Sequence, residues 1–254
     1  MPPYLCPMPN AMFRVPTIFA PHTGLIAAES TRHGGVSLPP YASLNLGFST
    51  DDDPDAVREN RRRFLAHWHL TETNLATSYQ THGTDIQIVT ESGRSHGFDA
   101  LLTNVPGLLL GISVADCTPI LVYDTLNQAV AAIHAGWRGT VGGLVLKTLR
   151  QMQTTYGTQP AHCLAYVGTC IDECSFEVGA DVATQFSASH VSRAGNRAWA
   201  DLKLANADQF REFGLTDAQL DISPCSTVWH NDQYFSHRHE QGLTGRMMAV
   251  IGLR

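Results

Sequence analysis

Two short apolar runs, PILVY at 119–123 and AVAAI at 129–133, stand on either side of the polar turn DTLNQ at 124–128. Each is short and rich in β-branched or small apolar residues, the pattern of a hairpin of buried strands. A hairpin returns the chain on itself, so the residues that flank it become neighbours in space. Asp116 and Cys117 lie just before the first run and His134 just after the second. A thiol therefore meets an imidazole at the open end of the hairpin.

The rest of the chain arranges itself around that hairpin. Residues 1–12 read as a loose leader, with Met12 as an alternative start, and 13–254 as one folded domain. Paired glycines, paired prolines and several Ser and Asn make 31–47, TRHGGVSLPPYASLNLG, a shaped loop. The acidic run 51–55 precedes DAVRENRRRFLAHWHL, where Val57, Phe64, Leu65 and Trp68 support an amphipathic helix beginning at Asp53 and Pro54. Residues 75–79 and 85–90 read as strands bracketing QTHG, which puts His82 at a strand junction. Asn104, Pro106 and Gly107 break 98–113 into strands and a turn. After His134 the apolar spacing becomes helical, with Val141, Leu144, Val145, Thr148, Leu149 and Met152 on one face. Further strands are expected at 161–167, 221–227 and 247–253, short and longer helices at 180–187 and 201–213, and a cysteine-bearing loop at 168–175. No repeat or long linker interrupts this order, and the reading is one domain of mixed strands and helices.

Composition limits the partners. A net charge of −6 and a pI near 6.0 provide no basic footprint for nucleic acid, and no apolar run approaches the roughly 18 residues of a membrane span. A cytoplasmic, monomeric protein acting on small molecules is the expectation. Six cysteines in 254 residues point to metal or catalytic roles rather than to a disulfide framework. Cys163, Cys170, Cys174 and Cys225 read as buried or idle thiols.

His82, Cys117 and His134 would suit a catalytic zinc, which typically takes three protein ligands and keeps a fourth position for water or substrate. The bland alternative makes His82 a turn residue, Cys117 a small buried hydrophobe and His134 a satisfied core histidine. Spacing alone leaves both open.

The segments TRHGGVSLPPYASLNLG, QTHGTD, ADCTPILVYD, AAIHAGWRGTVGG, SFEVG and YFSHRHEQGLTGRM, in this order over 31–246, resemble the YfiH-like, or laccase-domain, family of multicopper polyphenol oxidases and purine nucleoside phosphorylases. The resemblance implies an α+β fold of layered mixed sheets flanked by helices, similar to that of the toxin deamidases, and one zinc per chain held by His82, Cys117 and His134. It also implies phosphorolysis of adenosine, inosine, guanosine and methylthioadenosine, hydrolytic deamination of adenosine, and copper-dependent phenol oxidation.

Laccase chemistry needs several coppers and hence clustered histidines. The available pairs are His67 with His69, two apart on an expected helix and so not facing one another, and His237 with His239, which a strand would place on one face. Three ligands make one metal site, so zinc ranks above copper. Deamination requires a proton-transfer group, for which Asp116 beside Cys117 is the candidate. Phosphorolysis requires cationic donors for phosphate: Arg32 first, then Arg138 and Arg246. Asn45 suits a ribose hydroxyl or a purine edge. Without the metal, Cys117 and His134 would instead form a nucleophile and base acting on an amide, such as a link in a peptidoglycan precursor.

Overall fold

A computed structural model describes residues 10–254. Thr118–Asp124 pairs antiparallel with Ala129–Ala135, and Pro119 faces His134. Every residue of both strands is buried. Leu121, Tyr123, Val130 and Ala132 enter a core between two sheets, whereas Ile120, Val122, Ala131 and Ile133 enter a second core beneath helices. Strands covered on both faces need apolar side chains at successive positions, so the sequence shows unbroken runs rather than alternation.

The hairpin is the centre of a six-stranded sheet ordered Leu220–Ile222, Cys163–Val167, Thr118–Asp124, Ala129–Ala135, Ala100–Thr103, Ile86–Ile88. A second six-stranded sheet is ordered Phe13–Arg14, Leu25–Ser30, Met247–Leu253, Leu109–Val114, Leu75–Tyr79, Gly93–His96. The two pack face to face through Leu110, Ile112, Ala249 and Ile251 on one side and Leu101, Leu121 and Tyr166 on the other. Truncating a side chain such as the fully buried Leu121 to Ala costs about 2–5 kcal/mol. Helix Pro54–Ala66 covers the outer face of the second sheet with Phe64 and Leu65. Helices Leu144–Tyr156 and Leu202–Phe213 cover the hairpin sheet, through Leu144, Leu149, Met152 and Phe210. The result is a single α+β domain of helix, sheet, sheet and helix, as expected. A small sheet of Glu177–Val178, Arg197–Ala200 and Val191–Ala194 stands apart.

Several local expectations are corrected. The helix after His134 is two helices, Trp137–Val141 and Leu144–Tyr156, because Gly143 at φ 72° turns the chain between them. The expected strand at 221–227 ends at Ile222, ahead of Pro224, which has no N–H to give a ladder. The hairpin of Val191–Ala194 and Arg197–Ala200 does not stand out as strands, because each arm is four residues long with a single large apolar side chain, Val191 or Trp199. His69 lies beyond the helix that ends at Ala66, and His237 and His239 lie in a turn rather than on a strand. Cys225 is disulfide-bonded rather than idle; a lone pairing leaves no trace in cysteine spacing. Of the expected leader, residues 1–9 lie outside the described residues. The carbonyl of Met12 accepts a hydrogen bond from the Thr31 amide, and its side chain packs against the core on the outer face of the second sheet. Among the described residues no helix is long and apolar enough to cross a membrane.

Candidate functional site

At one end of the sandwich the chain crosses twice from the second sheet to the hairpin sheet. One crossing joins Leu75–Tyr79 to Ile86–Ile88, the other Leu109–Val114 to Thr118–Asp124. His82 occupies the first crossing at φ 59° and Asp116 the second at φ 81°. These left-handed conformations are uncommon for residues with a side chain, and here they shape the short connections that hold the site. Cys117 follows Asp116, and His134 comes from the facing hairpin strand. The ligand atoms of His82, Cys117 and His134 all lie within 4.8 Å of one another. Their two imidazoles meet edge to face with centroids 4.8 Å apart.

The residue that organises this triad is Asp99, which the motif reading overlooked. It is fully buried immediately before Ala100–Thr103. Its Oδ1 lies 2.7 Å from His134 Nδ1 and accepts the His82 amide at 3.0 Å, while Oδ2 accepts the Gly83 amide at 2.7 Å. Its own carbonyl accepts the His134 amide at 2.7 Å. One carboxylate thus fixes the His134 ring and the His82 turn together, and with Nδ1 engaged, Nε2 is the nitrogen left for a ligand. A signal was available in sequence: an Asp in FDALLT, at the start of a strand beside the hairpin.

Burial alone would raise the Asp99 carboxyl, but the hydrogen bonds from His134 and the Gly83 amide hold it down at about 2. Burial likewise opposes ionisation of Cys117, yet His134 and then His82 lower its thiol to about 6. His134 is raised to about 9, as the Cys117 thiolate and Asp99 outweigh its burial. The thiolate, the form that binds soft metals and attacks electrophiles, is thereby favoured. Glycine keeps the space open: a Cβ on Gly136 would lie 3.1 Å from both Cys117 Sγ and His82 Cδ2.

The donor set fits a metal. Two imidazoles and a thiolate are characteristic zinc ligands, and tetrahedral bonds of about 2.0–2.3 Å place ligand atoms roughly 3.5 Å apart, a spacing that side-chain rotation can reach from the present one. The carboxylate behind His134 is the support that metal-binding histidines usually have. Among the described residues no other group of three His, Cys, Asp or Glu side chains is close enough to share an ion.

The triad opens into a cavity of about 390 Å³ that is also lined by Asp116 and Arg246. Asp116 Oδ1 accepts from Thr227 Oγ1 at 2.6 Å and Ser236 Oγ at 2.8 Å, and Oδ2 accepts the Arg238 amide at 2.6 Å. Arg246 is half-buried, and burial lowers its pKa. Its Nη1 donates to the carbonyls of Thr244 and Gly245.

Three other residues singled out from sequence do not line this cavity. Arg32 donates to the carbonyls of Ala42 and Asn231 and to Glu240, and stacks on Phe235. Asn45, fully buried, donates to Thr50 and Asp52 and accepts the amides of Gly47 and Arg246. Both fasten loops, because a buried polar group must find its partners within the fold. Arg138 is exposed, with its guanidinium over the Trp137 ring at 4.3 Å.

Residues 26–254 match the family described as "Multi-copper polyphenol oxidoreductase laccase". The chain belongs to this family. Its laccase-domain relatives include a protein of Deinococcus radiodurans named "Purine nucleoside phosphorylase", 39% identical over 246 residues, covering 95% of this chain and 92% of the relative. "Purine nucleoside phosphorylase YfiH" of Escherichia coli K12 is 36% identical over 237 residues, covering 91% and 94%. The crystal structure of YlmD from Geobacillus stearothermophilus superposes with a TM-score of 0.92 at 31% identity, over 99% of this chain and 100% of that one. The family description speaks of several coppers, whereas the described residues of this laccase-domain chain provide one group of ligands.

Proposed function

We propose that this protein is a zinc-dependent purine nucleoside phosphorylase that also deaminates adenosine. The carrying observation is that a His₂Cys donor set and Arg246, a half-buried arginine with no ion pair among the described residues, open into one cavity. The names of the relatives supply the nucleoside. A volume of about 390 Å³ is within the range of small-ligand sites.

Zinc, when bound, would supply Lewis acidity and lower the pKa of a water toward about 7. His82, Cys117 and His134 would hold it, and Asp99 keeps the His134 ring oriented with Nε2 toward the site. Arg246 spends one nitrogen on its own loop and offers the others to the phosphate that attacks ribose C1′. Asp116 accepts three hydrogen bonds and so keeps a lone pair beside Cys117. It is the proton-transfer group for loss of ammonia from the purine.

The test is to follow adenosine with and without phosphate. Adenine and ribose 1-phosphate are expected only with phosphate, and inosine in both cases; neither product from zinc-loaded protein would reject the reading. The lowered Cys117 thiol beside His134 favours one second reading, a metal-free cysteine hydrolase acting on an amide. Activity that survives chelation and is lost on alkylation would select it.

A further inference from the structure

We propose that Arg61 and Arg94, which clasp Phe48 on the cavity wall, form the anion subsite for the phosphate co-substrate together with Arg246. The proposal rests on the phosphorylase reading above and names the groups that would bind its second substrate. Arg61, Arg94, Phe48 and Arg246 all line the cavity that holds the triad. The Arg61 guanidinium lies 4.6 Å and that of Arg94 6.0 Å from the Phe48 centroid. Arg94 also lies 5.7 Å from the Tyr79 ring, which stacks on His96 at 4.9 Å and 5°. Aromatic faces hold guanidiniums in place without neutralising them.

The charge here is unbalanced. Arg61 is 5% exposed, and its one carboxylate partner among the described residues is Glu72 at 3.2 Å, whose side chain is half exposed. Arg94 has no ion pair among the described residues, and its charge adds to the burial that already disfavours the charged form of Arg61. Like charges held together beside a cavity, with too few carboxylates to match, constitute a site for an anion.

The backbone joins this pair to Arg246. Arg61 Nε donates to the Leu46 carbonyl at 2.8 Å, and the Leu46 amide donates to the Arg246 carbonyl at 3.0 Å. A Cβ on Gly47 would meet Arg246 Cγ at 2.6 Å. Residues 46–48 therefore run between the arginines, and glycine at 47 allows Arg246 to lie against them.

Arg94 is exposed and can be replaced without opening the core. In Arg94→Ala we expect the KM for phosphate to rise about 10–100-fold, the effect of losing a charge-assisted contact, while the KM for nucleoside moves less than about threefold. Arg94→Lys should recover part of the loss. Direct titration of the zinc-loaded protein with inorganic phosphate, by calorimetry or ³¹P NMR, should show the same weakening. Phosphate binding that depends on Arg94 in a protein with no phosphorolysis would support the subsite and reject the reaction. Phosphorolysis with an unchanged phosphate KM and unchanged phosphate affinity in Arg94→Ala and Arg94→Glu would overturn the subsite and leave the reaction standing. Failure of the wild-type protein to bind phosphate would overturn both.

Discussion

Two clusters in this protein use similar side chains to opposite ends. Around Arg32 the guanidinium is spent on Ala42, Asn231 and Glu240, and nearby Asn45 has its donors and acceptor engaged by Thr50, Asp52, Gly47 and Arg246. Around Cys117, a thiol lowered by contact with His134 and His82 and the rings of those two histidines converge on a cavity that also has Arg246 and Arg94 on its wall. The first cluster fastens loops, and the second has the donor set of a candidate metal site. A buried polar group whose partners lie within the fold stabilises it; capacity left over at a cavity awaits a ligand.

The comparison is broken most severely at the ligands. Changing His82, Cys117 or His134 to Ala should abolish phosphorolysis and deamination together, by about 10³-fold or more, with circular dichroism unchanged. Full phosphorolysis in any one variant would separate that residue from a shared site. Asp99→Asn replaces the carboxylate that holds His134 and three amide donors, and zinc affinity measured by competition with a chelator should fall about 10–100-fold. Arg32→Ala should do the reverse. It removes the ion pair of Glu240, which keeps its Ser236 and Thr244 hydrogen bonds, and should cost about 2–4 kcal/mol in urea unfolding, while kcat/KM of the folded protein changes less than about threefold. Gly136→Ala, which crowds Cys117 and His82 without filling the core, should lower activity by about tenfold and stability by about 1 kcal/mol.

The smallest effect is a matter of pH. In metal-free protein, His134 and His82 keep the Cys117 thiolate populated down to about pH 6, so alkylation should rise through a midpoint near 6 as pH increases. Mass spectrometry of the labelled peptide reads this, and zinc should suppress the labelling. A midpoint near the ordinary thiol value of about 8.5 would remove the histidines from contact with the sulfur.

Much of this was legible in sequence because it rests on local pattern. The hairpin showed in its apolar runs, the helix Pro54–Ala66 in its Asp53 cap, and Leu75–Tyr79 and Met247–Leu253 in their composition. Asp99, Arg61, Arg94 and Phe48 escaped because each is placed by neighbours far along the chain, on an adjacent strand of the same sheet or in a packed loop, and no spacing rule connects residue 99 to the ring of residue 134. Arg32 and Asn45 stood out in sequence for the same reason in reverse. Their polarity was visible, but the partners that satisfy it came from distant segments, as with Arg32 and Glu240.

The central claim is that His82, Cys117 and His134 hold one zinc. Elemental analysis of protein purified without added metal tests it most directly, with Cys117→Ala measured in parallel. About one zinc per wild-type chain and little in the variant is the expected result. A metal-free wild-type protein, several coppers per chain, or the same zinc content in Cys117→Ala would contradict it.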